Sequence, residues 1–318
     1  MARIIGHDRI VAALPSLDLT NAIEAGFVAY SDGRAIVPPV GELLFDAPRG
    51  DAHIKYGRII GDDVYVIKIA SGFYDNPKRG LPGNSGLMLV FSATTGILDT
   101  ILLDEGHLTN VRTALAGAIT AKWLAPTDVR RISVLGTGLQ ARMQAGAIAK
   151  VTGCWRVTVW GRRDDALEAC RRDMIACGLE VTTTRDIAEA TLPAQLIVTT
   201  TASETPLLAP EHVSPGTHIV AMGSDTETKN EIDPSLLGAV DVYVADSIAQ
   251  CATRGELHHA IRAGTRDAGT VTELGAVIAG RHPGRTDDYQ ITLADLTGVA
   301  VQDIAIAKAV CRATGETK

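Results

Sequence analysis

Aromatic residues make up only 4% of this 318-residue chain, and cysteine is scarcer still, with five. The five, Cys154, Cys170, Cys177, Cys251 and Cys311, are odd in number and form no Cys-x-x-Cys pair. Neither a disulfide frame nor a zinc site is expected from them, and they read as core thiols in a reducing compartment. His258-His259 has no partnering cluster, so no metal is expected there either. Long apolar runs are missing, and Met1 to Asp18 lacks the basic head, apolar stretch and small-residue cleavage site of a secretory leader. The expectation is a soluble, cytoplasmic protein without a membrane partner. No window is dense in Lys and Arg, and the formal net charge is −7, which speaks against a nucleic-acid partner. What is present is hydrophobic residue, 46% of the chain, enough for two ordinary domains or one large one.

Two rhythms run along the chain. After the candidate cap Asp18, Leu19 to Tyr30 has helical spacing, and Ser31-Asp32-Gly33 forms a turn. Short β-rich runs follow, at Ala35–Val37, Ile59–Ile60, Val64–Ala70, Gly86–Phe91 and Ile97–Leu103, predicting an antiparallel sheet or partial barrel. A long Ala-rich helix over Leu108–Leu124 then leads into alternating strands and helices. Strands are predicted at Ile132–Leu135, Val157–Trp160, Glu180–Thr183, Leu196–Thr199, His218–Met222, Val242–Ala245 and Gln290–Leu293. The fold class is therefore α/β, a Rossmann-type doubly wound parallel sheet over 125–297 plus an α+β domain over 1–124. A final helix, about Gly298 to Arg312, opens a C-terminal extension, 298–318, that returns to the first domain.

Ile132-Ser-Val-Leu135 leads into Gly136-Thr137-Gly138-Leu-Gln140-Ala141, a strand followed by Gly-x-Gly-x-x-Ala and a helical run. Gly136 permits a tight turn, Gly138 lets the backbone approach a pyrophosphate, and Ala141 lets the helix pack on the strand. The helix N-terminus would supply amide donors to the phosphates. A ligand-free turn would show the same residues, but the alternating pattern around it favours a dinucleotide. The second strand ends not in an acid for the ribose but in Gly161-Arg162-Arg163. Arg162 suits a 2′-phosphate, so the expected cofactor is NAD or NADP with a lean toward NADP; a pair of solvated arginines is the other reading.

Several segments together resemble the ornithine cyclodeaminase and mu-crystallin family, from about Val37 to the end. They are Val66-Ile-Lys68 with Asn76-Pro77, Leu81-Pro82 and Gly86-Leu-Met-Leu; Leu108-Thr-Asn-Val-Arg112; Gly136 to Ala141; Gly223-Ser224-Asp225; and Asp295-Leu-Thr297-Gly298 with Gln302-Asp303. Ser71-Gly-Phe-Tyr-Asp-Asn-Pro77, Ala221 to Asp225, Lys229 to Ile232 and Gly255-Glu-Leu-His-His259 look most like the ectoine-utilisation, cyclodeaminase-like branch, and are also similar to iminosuccinate reductases.

Lys68 stands in a strand apolar on both faces, so its ammonium needs a partner or a polar cavity. It is a candidate proton donor or carboxylate anchor, unless its stem carries it to solvent. Arg112, near the start of the long helix, could hold a carboxylate together with free amides, or could form an ordinary ion pair. Asp225, at the carboxyl end of a predicted central strand, is by resemblance the catalytic carboxylate; an Asp turn is the bland alternative. Thr200, Gly223, Ser224, Thr297 and Gly298 would by the same resemblance line the nicotinamide.

Two departures stand out. Ornithine cyclodeaminases carry a glutamate at a fixed offset before the catalytic lysine, and at that offset this chain has Lys55. The family arginine after a Pro-Pro or Pro-Val step is also missing, because Pro38-Pro39 runs into Val40-Gly-Glu-Leu43. Lys68 and Arg112, with Lys55, are then the expected anion anchors. The resemblance implies a small amino or imino acid substrate and a homodimer. It leaves open a redox-neutral cyclodeamination, an imine reduction and, with less support, a non-catalytic crystallin-like binder.

Overall fold

The computed structural model describes residues 2–73 and 75–315; Met1, Tyr74 of the Ser71–Pro77 motif, and residues 316–318 of the C-terminal extension lie outside the described residues. The chain divides into two units, one made of residues up to Arg112 together with those from Val299 onward, the other of Thr113–Gly298.

The first unit comprises β1 (Arg3–Gly6), α1 (His7–Ala13), α2 (Leu19–Ser31), β2 (Ala35–Ile36), β3 (Gly41–Phe45), β4 (Gly50–Ile59), β5 (Val64–Phe73), β6 (Asn84–Ser92) and β7 (Leu98–Leu103). The start of α3 (His107–Leu124) and, from the far end of the chain, α11 (Ala300–Thr314) complete it. Its seven-stranded sheet runs β1-β7-β6-β5-β4-β2, with β3 on β4. Every pairing is antiparallel except that of β1 with β7, so the expected antiparallel sheet carries one parallel edge strand. Four residues of β1 and seven of α1 are too short to show a period, and neither was predicted.

Of the expected strand Ile59–Ile60, Ile59 is the last residue of the ten-residue β4 and Ile60 begins the turn after it. The alternation in β4 is inverted: His53, Lys55 and Gly57 are buried, while Ile54, Tyr56 and Arg58 face out. A pattern rule that sends polar groups to solvent misreads such a strand. Its buried face packs on α11, which also packs on β5, β6 and α2. The α2–α11 contact is close: a Cβ on Gly26 would lie 3.1 Å from the Val301 carbonyl oxygen.

The second unit continues from α3 with β8 (Ile132–Leu135), α4 (Leu139–Thr152), β9 (Arg156–Trp160), α5 (Asp164–Ala176), β10 (Glu180–Thr184), α6 (Ile187–Thr191), β11 (Leu196–Thr199) and β12 (His218–Ala221). It ends with α7 (Pro234–Ala239), β13 (Val242–Ala245), α8 (Ile248–Arg254), α9 (Glu256–Ala263), β14 (Thr272–Glu273), α10 (Leu274–Ile278) and β15 (Thr292–Asp295). The eight-stranded sheet, β10-β9-β8-β11-β12-β15-β13-β14, is parallel throughout. β8, β11, β12, β13 and β15 are buried along their whole length, as a parallel sheet covered on both faces requires. Strand order reverses between β8 and β11, which opens the crevice where doubly wound sheets take nucleotides. The predicted strand Gln290–Leu293 lies two residues later, because its last residue is a buried Asp295 that reads as a strand-ending polar. Cys177 departs from the expected core thiols, being exposed at the end of α5.

No helix among the described residues is long and apolar enough to cross a membrane.

Candidate functional site

In the first unit, Lys68 on β5 and Arg112 on α3 converge on one carboxylate of α11. Lys68 Nζ lies 3.5 Å from Asp303 Oδ2, and Arg112 Nε lies 3.2 Å from Asp303 Oδ1. Arg112 Nη1 donates to Gln302 Oε1 at 3.2 Å. All four side chains are buried. The contacts to Asp303 have ion-pair distance without hydrogen-bond alignment, which leaves the Arg112 Nε–H a buried donor lacking an acceptor. Such a donor costs free energy unless something fills it. A small anion entering here would find two cations already held in place by Asp303.

At the start of α3 the Leu108 amide is already engaged, donating to Asp104 Oδ2 at 2.8 Å. Burial raises the Asp104 carboxyl, against the pull of that hydrogen bond and of nearby Lys68. Lys55 is also buried and stands directly across the β4–β5 ladder from Lys68.

In the second unit, the glycine loop sits at the switch between β8 and β11. Gly136 has φ +129°, and a Cβ there would lie 2.5 Å from Thr200 Oγ1. Thr200 itself is tied to Leu135, its amide donating to the carbonyl at 2.9 Å and its hydroxyl at 3.1 Å. Gly138 differs: its φ of −82° suits any residue and a Cβ would meet nothing within 4 Å. The protein alone has no use for a glycine at that point. It is also the N-cap of the 14-residue α4, with no side-chain cap on the free amides behind it. Thr137 packs under Gly161, and Ala141 is fully buried. Arg142 Nη1 donates to the carbonyls of Thr137 and Gly138 at 2.6 and 3.0 Å, engaging the loop's oxygens. Gln140 lies in the first turn of α4, and its Oε1 accepts from Gln144 Nε2 at 3.4 Å. Arg162 is exposed just past β9. An open glycine, an uncapped helix and amides free of side-chain competition fit a dinucleotide pyrophosphate.

Two buried acids shape the remaining loops. Glu231 accepts from the Thr201 amide at 2.6 Å, the Thr201 hydroxyl at 2.7 Å and the Gly223 amide at 2.8 Å. Asp246 accepts from the Thr297 hydroxyl at 3.0 Å and the Gly298 amide at 2.6 Å. Ser224 is buried, its hydroxyl donating to the Lys229 carbonyl. Asp225 is partly exposed, with its carboxylate on Lys229 Nζ at 2.6 Å and its carbonyl on Arg254 Nε at 2.8 Å. His259 Nε2 lies 2.8 Å from the Lys229 carbonyl oxygen, a packing role for half of the His258-His259 pair. Arg142 and Asp246 were not marked by any motif, and Glu231 stood out only as part of the Lys229–Ile232 wording. Asp303 was visible only as part of a motif, since an acid in a first helical turn ordinarily serves the helix dipole.

Burial pushes the Asp295 carboxyl up to about 7, and raises Glu231 and Glu256 as well. A carboxyl raised in the folded state stabilises the fold fully below its unfolded value, near 3.8, and loses that contribution as pH rises through about 7. The unfolding free energy from urea titrations should therefore fall between about pH 5 and about pH 8, by roughly 2–3 kcal/mol from Asp295 alone. Asp295→Asn, which keeps an acceptor for the Tyr243 hydroxyl and the Leu257 amide, should flatten this slope. An unchanged slope would remove Asp295 as its source.

A model of the ornithine cyclodeaminase/mu-crystallin family matches residues 5–318. An uncharacterized cyclodeaminase of Sinorhizobium fredii is 42% identical over 295 residues, 92% of this chain and 89% of the relative. An iminosuccinate reductase of Paracoccus denitrificans is 35% identical over 312 residues, covering 96% of this chain and 95% of the relative. The crystal structure of the iminosuccinate reductase of that organism in complex with NAD+ superposes with a TM-score of 0.88 at 32% identity, covering 98% of this chain and 96% of that one. An archaeal alanine dehydrogenase dimer with bound NAD gives a TM-score of 0.88 at 30% identity, covering 98% and 95%.

Proposed function

The chain belongs to the ornithine cyclodeaminase/mu-crystallin family, and from that premise we propose that it is a nicotinamide-dependent enzyme reducing the C=N bond of a small imino acid. The observation that carries this reading is the buried Lys68–Asp303–Arg112 cluster, two cations held by one shared carboxylate. Retention of such a cluster argues against a merely structural protein, because an apolar core of similar volume would be at least as stable.

When bound, the nicotinamide supplies hydride to, or takes it from, the carbon that bears nitrogen. The second unit, through the Gly136–Ala141 loop, Thr200, Gly223, Ser224, Thr297 and Gly298, is assigned to the dinucleotide. The first is assigned to substrate and to subunit pairing. Arg112 and Lys68 hold the substrate carboxylate, Lys68 Nζ gives a proton to the imine nitrogen, and Asp303 fixes both cations. Asp225, paired with Lys229, carries the carboxylate role that the family resemblance gives it. Arg162 favours NADP(H), since it stands where an acid would otherwise grip the ribose hydroxyl.

The second reading is cyclodeamination, the activity named for the Sinorhizobium relative. It requires a side-chain amine near the imine, and the buried ammonium of Lys55 repels one. Oxidation of NADPH or NADH by ammonia plus a 2-oxo acid, in step with amino acid formed, tests the first reading. Ammonia release from a diamino acid with no net change in nicotinamide would replace it by the second.

A homodimer fits the outer face of the first sheet, where Ile54, Tyr56 and Ile69 are more than a third exposed and Ile54 pairs directly with Ile69. Ile69→Asp should convert the dimer to monomer in sedimentation equilibrium. A wild type that sediments as a monomer would end this assignment.

A further inference from the structure

We infer that Lys55 is a specificity residue that reads a second carboxylate, on the substrate's side chain, so that the substrate class is a short 2-imino dicarboxylic acid. The inference rests on the imine-reducing reading above and adds to it the identity of the side chain.

Lys55 and Lys68 are direct cross-strand partners in the β4–β5 ladder. Both lie on the sheet face that packs on α11, and both are buried, 6% and 2% exposed. Like charges directly opposite each other on an antiparallel pair destabilise it, and burial removes the water that would screen them. A methionine or glutamine would satisfy the fold at Lys55 with less cost. Two ammonium groups side by side become favourable when anionic oxygens stand between or above them.

The assignment of the two carboxylates follows from the ion pairs. Lys68 and Arg112 share Asp303 and act as one preset anchor for the carboxylate next to the imine. Lys55 stands on the neighbouring strand, β4, directly across from Lys68. Each ammonium has three donors, so a protein partner on one of them leaves it able to bind a carboxylate as well. The row beside this pair is small: Ala70 and Gly86, both half-buried, occupy the next positions of this face on β5 and β6, and a Cβ on Gly86 would already lie 2.7 Å from the Ile69 carbonyl oxygen. His53, the next buried position on β4, is committed to Glu42 at 2.8 Å. Cross-strand Cβ atoms stand about 5 Å apart, so neighbouring lysines address groups only a few bonds apart. That spacing suits diacids of four or five carbons.

The test compares pyruvate, oxaloacetate and 2-oxoglutarate, each with ammonia and reduced nicotinamide, on the full-length wild type, Lys55→Met and Lys55→Arg. The wild type should favour the better diacid over pyruvate in kcat/KM by roughly 100-fold, the scale of a charged hydrogen-bonding group left unfilled. Lys55→Met should collapse that ratio, chiefly through KM for the diacid, while Lys55→Arg should largely keep it. A wild type that prefers pyruvate, or a ratio that Lys55→Met leaves intact, would overturn the inference. If no imine is reduced at all, the imine-reducing reading fails separately. Calorimetry with succinate and propionate then decides the point about Lys55: succinate binding lost in Lys55→Met supports it, and equal binding of both acids to both proteins refutes it.

Discussion

Lys68→Met should lower kcat for imine reduction by about 10³-fold, the usual contribution of a positioned proton donor, and should leave the affinity for reduced nicotinamide unchanged. The methionine keeps the stem that packs beside Met88, while the ammonium is gone. Asp303 retains Arg112 at 3.2 Å, so the carboxylate is not left without a counter-charge and the fold should survive with a modest fall in Tm. Lys68→Arg should not rescue, because a guanidinium does not give up a proton at working pH. Asp225→Asn should impair turnover comparably, since Lys229 would lose the carboxylate it holds at 2.6 Å. Steady-state rates beside far-ultraviolet circular dichroism check both variants; wild-type turnover in either removes that residue from the chemistry.

Gly138→Ala and Gly136→Ala should fail in different ways, and the contrast separates ligand from fold. At Gly138 a methyl group meets no protein atom within 4 Å, so the variant should melt with the wild type. Its dinucleotide affinity should nevertheless drop by about 10-fold to 100-fold, because the methyl occupies the approach of the pyrophosphate. At Gly136 the φ of +129° and the 2.5 Å approach to Thr200 Oγ1 penalise alanine in the protein itself. That variant should lose both Tm and nucleotide binding. Fluorescence titration with NADPH and NADH reads the affinities. Unaltered binding in Gly138→Ala would contradict the placement of the cofactor.

The alternating half of the chain was easy to read because parallel strands buried on both faces are nearly pure apolar runs, as in Ile132–Leu135 and Leu196–Thr199. The first unit was harder. β4 turns His53 and Lys55 inward and Ile54 and Tyr56 outward, so a hydrophobicity rule assigns it to nothing. The same inversion marks the candidate site, because a sheet that buries lysines has been given something to bind. Lys68 was legible as an ammonium with apolar neighbours, but its partner was not: Asp303 is distant in sequence, and only tertiary packing brings it to 3.5 Å. Glu231 and Asp246 escaped for a related reason. Each satisfies loop amides through its side chain, and such bonds leave no spacing in the sequence.

Deuterium transfer tests the central claim most directly. Reduced nicotinamide carrying deuterium in both C4 positions is supplied with ammonia and each 2-oxo acid, and the amino acid formed is analysed by mass spectrometry. Hydride chemistry at the carbon bearing nitrogen predicts one deuterium at Cα and none elsewhere. An amino acid whose Cα hydrogen comes only from solvent, or label that stays wholly on the nicotinamide, would contradict it.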